Sequence, residues 1–186
     1  MLHIGVINQL KALRKTSVGM FLGNEDGDEV LLPHKYVPET LKVEEEIDVF
    51  IYRDSQERLI ATTLMPKAEL FHFAFLRVNY ANEFGAFLDW GLEKDLFVPF
   101  AEQATKMQVG RSYVVYVFLD EKSERLVASS KLYRFFETEK IFLEENEEVN
   151  LLVYDRMELG YLVVVDNLYR GMIYQNEVFT PLTIKQ

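Results

Sequence analysis

EFGAFLDWG occupies residues 83–91. As a strand it sends Ala86, Leu88 and Trp90 to one side and Gly85, Phe87 and Asp89 to the other. The first set is core-like. The second puts a phenyl ring between a glycine and a carboxylate, on the side that faces water. The reason for a ring in that company depends on whether the stretch recurs.

It does recur, 66 residues earlier, where VGMFL (18–22) lies over FGAFL (84–88) and EVLLP (29–33) over DLFVP (95–99). LKVEEEIDVFIYRD (41–54) lies over MQVGRSYVVYVFLD (107–120), and after one inserted residue ERLIATT (57–63) lies over ERLVASS (124–130). Glycine, proline, arginine and apolar positions recur in the same order, the mark of a duplicated unit. A weaker third copy begins near Glu147: EVNLLVYDRMELGYLVVVDN (148–167) places Leu159-Gly160 where Phe84-Gly85 stand, and YRGMIYQNEVF (169–179) supplies a third apolar run. It stops short of the last two runs, so the chain reads as part of a longer protein, with an open sheet edge in its last unit.

The copies divide the chain into 1–65, 66–132 and 133–186. Each full copy carries five apolar runs of strand length; in the second they are 69–80, 84–90, 94–99, 111–119 and 124–131. Turn signals separate them, and a segment long enough for one helical turn follows the third (PHKYVPE and PFAEQATK). The pattern predicts an all-β chain of tandem five-stranded OB-fold barrels, two complete and a third truncated. The 131–146 segment, KLYRFFETEKIFLEEN, holds two apolar clusters and is expected to pack between units.

Composition narrows the function. There is no cysteine, which excludes a disulfide framework, a thiolate zinc site and a cysteine nucleophile. No apolar run approaches the ~20 residues that span a bilayer, so no membrane role is expected and a cytoplasmic setting is the plain reading. No phosphate loop, nucleophile elbow, metalloprotease helix or dinucleotide fingerprint is present, so neither catalysis nor a cofactor is expected. NEDGDE (24–29) lacks calcium-loop spacing and reads as a turn; His3, His34 and His72 have no ligand spacing, and no metal is expected.

The net charge is −10. By copy it is −4 (7 basic, 11 acidic), −1 (8 and 9) and −5 (5 and 10), so the second copy is the least repellent to phosphate. If any unit binds nucleic acid, stacking must lead over ion pairing.

FGAFLDWG-x-EKDLFVPFAEQ followed by VGRSYVVYVFLDEKSERLVASS resembles the RNA-binding domain repeated in ribosomal protein S-one. The tandem arrangement, with RLIATT and RLVASSKL closing the two units, resembles the bacterial conserved virulence factor B family. That resemblance implies a cytoplasmic regulator that binds single-stranded RNA, with a winged-helix domain downstream. It places two ring positions at Phe84 and Phe87, and an acid and a base at Asp120 and Arg125. In the first copy it keeps Phe21, Asp54 and Arg58, with Val18 at the first ring position. The family's third-strand histidine falls at Val98 and Leu32. Copy three has Leu159 and Leu162 at the ring positions and Tyr174 near the histidine's, so copy two is expected to bind best.

Three alternatives stand beside this reading. The rings mark a protein interface, and the chain is an interaction scaffold whose partners are other proteins. Arg58 and Arg125 only pair with their neighbours Glu57 and Glu124, or the Asp54/Arg58 and Asp120/Arg125 spacings are hairpin-turn chemistry. The strand is single-stranded DNA in place of RNA.

Overall fold

A computed structural model describes residues 1–184. Strands β1 (Ile7–Lys15), β2 (Gly19–Gly23), β3 (Glu29–Pro33), β4 (Glu46–Arg53) and β5 (Leu59–Thr62) close a barrel in the order β1-β2-β3-β5-β4. A second barrel repeats the plan with β6 (Phe73–Ala81), β7 (Gly85–Asp89), β8 (Leu96–Pro99), β9 (Ser112–Asp120) and β10 (Arg125–Ser129). One 3₁₀ turn follows the third strand of each, at His34–Tyr36 and Phe100–Glu102. The five-run reading and the short helical segment are borne out.

The third unit is a three-stranded sheet of β11 (Leu151–Met157), β12 (Gly160–Val165) and β13 (Tyr169–Tyr174). Val164 on β12 joins a cluster with Phe73 and Val114 of the second barrel, while Val163 and Val165 pack on the other face with Val153 and Tyr169. Two rings of the 131–146 segment pack on the second barrel, Phe136 on Phe73 (5.0 Å, 17°) and Phe135 on Tyr116 (4.3 Å, 16°), and Phe136 also meets Tyr154 of β11 at 5.8 Å. The segment's second apolar cluster behaves differently, because Ile141 and Phe142 are exposed.

Alternation builds each core. Ala86, Leu88 and Trp90 are buried, as are their counterparts Met20 and Leu22. The barrels also share a core. Phe50, Tyr52 and Ile60 of the first pack in one cluster with Trp90, Leu92 and Leu96 of the second, and Phe50 meets Trp90 edge-on at 5.7 Å and 86°. The Trp90 indole N–H donates to the Lys94 carbonyl at 2.7 Å. This seam fixes one barrel against the other and leaves a groove at its mouth.

The first strand of every unit carries a bulge. Along β6, Leu76 and Val78 point inward, and strict alternation would send Tyr80 inward too. The ladder instead slips one residue, so that Val78 lies opposite Leu88 and Tyr80 opposite Phe87. The same slip sets Arg14 opposite Phe21 on β1 and Asp155 opposite Leu162 on β11. It turns one side chain per unit from the core to the outer face.

Candidate nucleic-acid interface

On the outer face of the second barrel, neighbouring strands bring three rings into a row. Tyr80 from β6 stacks on Phe87 from β7 at 4.3 Å and 5°, and Phe97 from β8 leans on Phe87 at 4.9 Å and 31°. Phe87 is thus flanked on both sides and half-buried, while Tyr80 is 48% exposed. Phe84, at the entry to β7, is 66% exposed; its backbone N–H donates to the Asn82 side chain at 2.9 Å, which sets the turn before the strand. The free ring surface belongs to the ends of the row and to Phe84, with Phe87 as the spine between.

Gly85 makes the row possible. A Cβ there would sit 2.3 Å from the Val98 carbonyl oxygen and 2.8 Å from the Phe97 ring. Gly19 and Gly160 occupy the same position in the other units, each with a would-be Cβ 2.1 Å from a third-strand carbonyl. The glycine therefore serves close approach of the second and third strands, and in the second barrel it also seats Phe97.

The row forms one wall of a groove of about 890 Å³, and the β4–β5 hairpin of the first barrel forms the other. Lys94 reaches across the seam: its ammonium donates to the carbonyls of Arg53 (3.1 Å) and Asp54 (2.9 Å) and to the Glu57 carboxylate (3.3 Å). Arg125, at the start of β10, donates to the other Glu57 oxygen at 2.9 Å. Arg53 answers in the opposite direction by pairing with Glu124. The two hairpins are clasped to each other by carboxylates.

The candidate residues separate into two groups. Phe84, Phe87, Arg125 and Asp54 line the groove; Phe21, Arg58 and Asp120 do not. Asp54 closes its own hairpin, accepting two bonds from the Arg58 guanidinium (3.0 and 2.7 Å) and the backbone N–H of Gln56 and Arg58. Burial pushes its carboxyl up, and these donors outweigh that and hold it below the usual range. Asp120 accepts from the Ser123 hydroxyl and backbone N–H, which lower its pKa, and it stands opposite Arg125 in the β9–β10 ladder. The hairpin-turn reading thus describes Asp54 and Asp120. Pairing with the adjacent glutamates does not describe the arginines: Arg58 pairs with Asp54 in its own hairpin, while Glu57 and Glu124 bridge to the opposite barrel. Phe21 has its own cap: the Arg14 guanidinium lies 4.3 Å over the ring and is held by Glu29 at 2.7 and 2.8 Å.

Two placements need correction. Val98 and Leu32, aligned with the family histidine, are fully buried and face the cores. The outward residues of β8 are Phe97 and Pro99, both on the groove. In the third unit Leu159 is exposed, but Leu162 is buried and offers no surface.

Sequence reasoning missed Tyr80, Phe97, Lys94 and Arg53. The signal lay in the differences between copies: Arg14, Val18 and Leu31 of the first become Tyr80, Phe84 and Phe97 of the second, so three aromatics are gained around one shared ring.

NEDGDE forms the β2–β3 turn, with Asn24 and Asp28 bonded to each other at 2.9 Å through two contacts. Among the described residues no group of three His, Asp or Glu is arranged for a metal ion, and no helix is long and apolar enough to cross a membrane.

Two closed five-stranded barrels in tandem, each with its short turn after the third strand, define an OB-type architecture. The S1 domain family model matches residues 4–64 and again residues 73–131, and the chain belongs to that family. The uncharacterized protein YitL of Bacillus subtilis (strain 168) is 35% identical over 85 residues, 45% of this chain and 28% of that protein. A crystal structure of a multidomain protein with nucleic acid binding domains from Streptococcus pneumoniae TIGR4 superposes with a TM-score of 0.59 at 19% identity. That likeness of fold covers 98% of this chain and 66% of the pneumococcal one, so the chain spans less than two thirds of either protein.

Proposed function

We propose that this chain binds single-stranded RNA, without catalysis, in the groove between its two barrels. The observation that carries the reading is the ring row Tyr80–Phe87–Phe97 with exposed Phe84 beside it, set opposite the β4–β5 hairpin of the first barrel and next to Lys94 and Arg125. Bases would extend the row from its free faces. Base–aromatic stacking supplies ~1–3 kcal/mol per base and accepts any base, which suits a protein with net charge −10. S1-family membership and the fold shared with a protein described as carrying nucleic acid binding domains support the same reading. A cytoplasmic post-transcriptional regulator of the conserved virulence factor B kind is the biological role we propose for it.

The test is fluorescence anisotropy with a labelled oligo-U strand and the Phe84→Ala/Phe87→Ala variant. Loss of stacking predicts roughly five- to hundredfold weaker binding in a protein that still folds. Unchanged affinity would refute the stacking site. Absence of binding by the unmodified chain would favour the scaffold reading, to which the acidic balance also points. Competition with DNA of equal sequence separates the two nucleic acids through the 2′-hydroxyl.

A further inference from the structure

The three cations that line the groove, Arg53, Lys94 and Arg125, are all paired. Lys94 and Arg125 share the Glu57 carboxylate, one on each oxygen, at 3.3 and 2.9 Å. Glu57 comes from the other barrel and is held in place by its backbone: it sits in the left-handed region at φ 62°, and its carbonyl accepts from Arg53 at 3.1 Å. Glu124, at the matching hairpin position of the second barrel, has φ 52° and neutralises Arg53 in the same way. A carboxylate that bridges two cations beside a stacking surface occupies the position a backbone phosphate would take.

We propose that Glu57 is a built-in competitor for phosphate, which RNA must displace from Lys94 and Arg125 to seat its backbone. The inference rests on the groove being the RNA site. It makes binding discriminating: a strand that stacks on the rings gains enough to displace the carboxylate, while a duplex or a bare polyanion meets cations that are already satisfied. It also gives an acidic protein a groove that does not hold nucleic acid by charge alone.

The experiment compares the unmodified chain, Glu57→Gln and Glu25→Gln in oligo-U titrations across a salt series. Glu25 lies in the β2–β3 turn, outside the groove, and controls for the change in net charge. Glu57→Gln is expected to tighten binding about three- to tenfold over the control, the scale of an exposed ion pair. The slope of log K against log salt should steepen by about 0.7 for each cation freed. Arg125→Ala should cost little in the unmodified chain and remove most of the gain in the Glu57→Gln background. A thermal melt verifies that the clasp variants remain folded. Glu57→Gln that behaves like Glu25→Gln, or binds more weakly, overturns the competitor while Phe84→Ala still reports on the groove. No binding by any of the variants overturns both readings.

Discussion

Val98 shows how one residue's direction decides its meaning. It is fully buried on β8, so a histidine there would enter the core and restore no contact. Val98→His is expected to destabilise the chain by about 1–3 kcal/mol through an unpartnered buried polar ring, seen as a lower melting temperature with no gain in RNA affinity. Carboxylates set the acid limit in the same local way. Lys67 bonds Asp89 at 2.7 Å and lowers its pKa, and the Arg58 and backbone donors overcome burial to lower that of Asp54. Both folded values lie below the unfolded one of about 3.9, so the stabilisation is complete above it and lost as pH falls through the folded values. Melting temperature followed from pH 5 to pH 2 should fall less steeply for the Asp54→Asn/Asp89→Asn variant than for the unmodified chain. Identical acid limbs would show that neither carboxylate carries the effect.

At the scale of strands, the bulge explains which parts of the site were legible. Five runs per copy, their turns and their inward residues follow from period-two alternation, and the barrels formed as that pattern required. Phe87 was legible for the same reason, since its strand is regular. Tyr80 was not: alternation assigns it to the core, and only the slipped ladder turns it outward. Lys94 and Glu57 were illegible for another reason, because their partners lie in the other barrel, 37 residues apart for the pair that joins them. Gly85 ties the element to the site. Gly85→Ala would drive a methyl into the Val98 carbonyl and the Phe97 ring, so β7 and β8 must part. The expected result is a cost of about 1–3 kcal/mol together with weakened RNA binding. Stability and affinity both unchanged would show that the row tolerates a wider strand spacing.

Across the whole molecule, the proposed RNA groove requires the two barrels to behave as one body. Phe50 belongs to the first barrel by sequence and to the second barrel's core by packing. Phe50→Ala is expected to cost about 3–5 kcal/mol and to redden the emission of Trp90, the chain's one tryptophan, as the seam admits water. Unaltered emission would mean the indole does not sense the seam. In the proposed complex, single-stranded RNA lies where the ring row of one barrel faces the hairpin of the other. An NMR titration of the 21.8 kDa chain with unlabelled oligo-U, read at backbone amides and aromatic side chains, tests it most directly. Binding in the groove should concentrate the shifts at Tyr80, Phe84, Phe87, Phe97 and Arg125, together with residues 53–57 on the facing wall. Shifts centred on Phe21 or on the β11–β13 sheet, or no shifts at all, would contradict it.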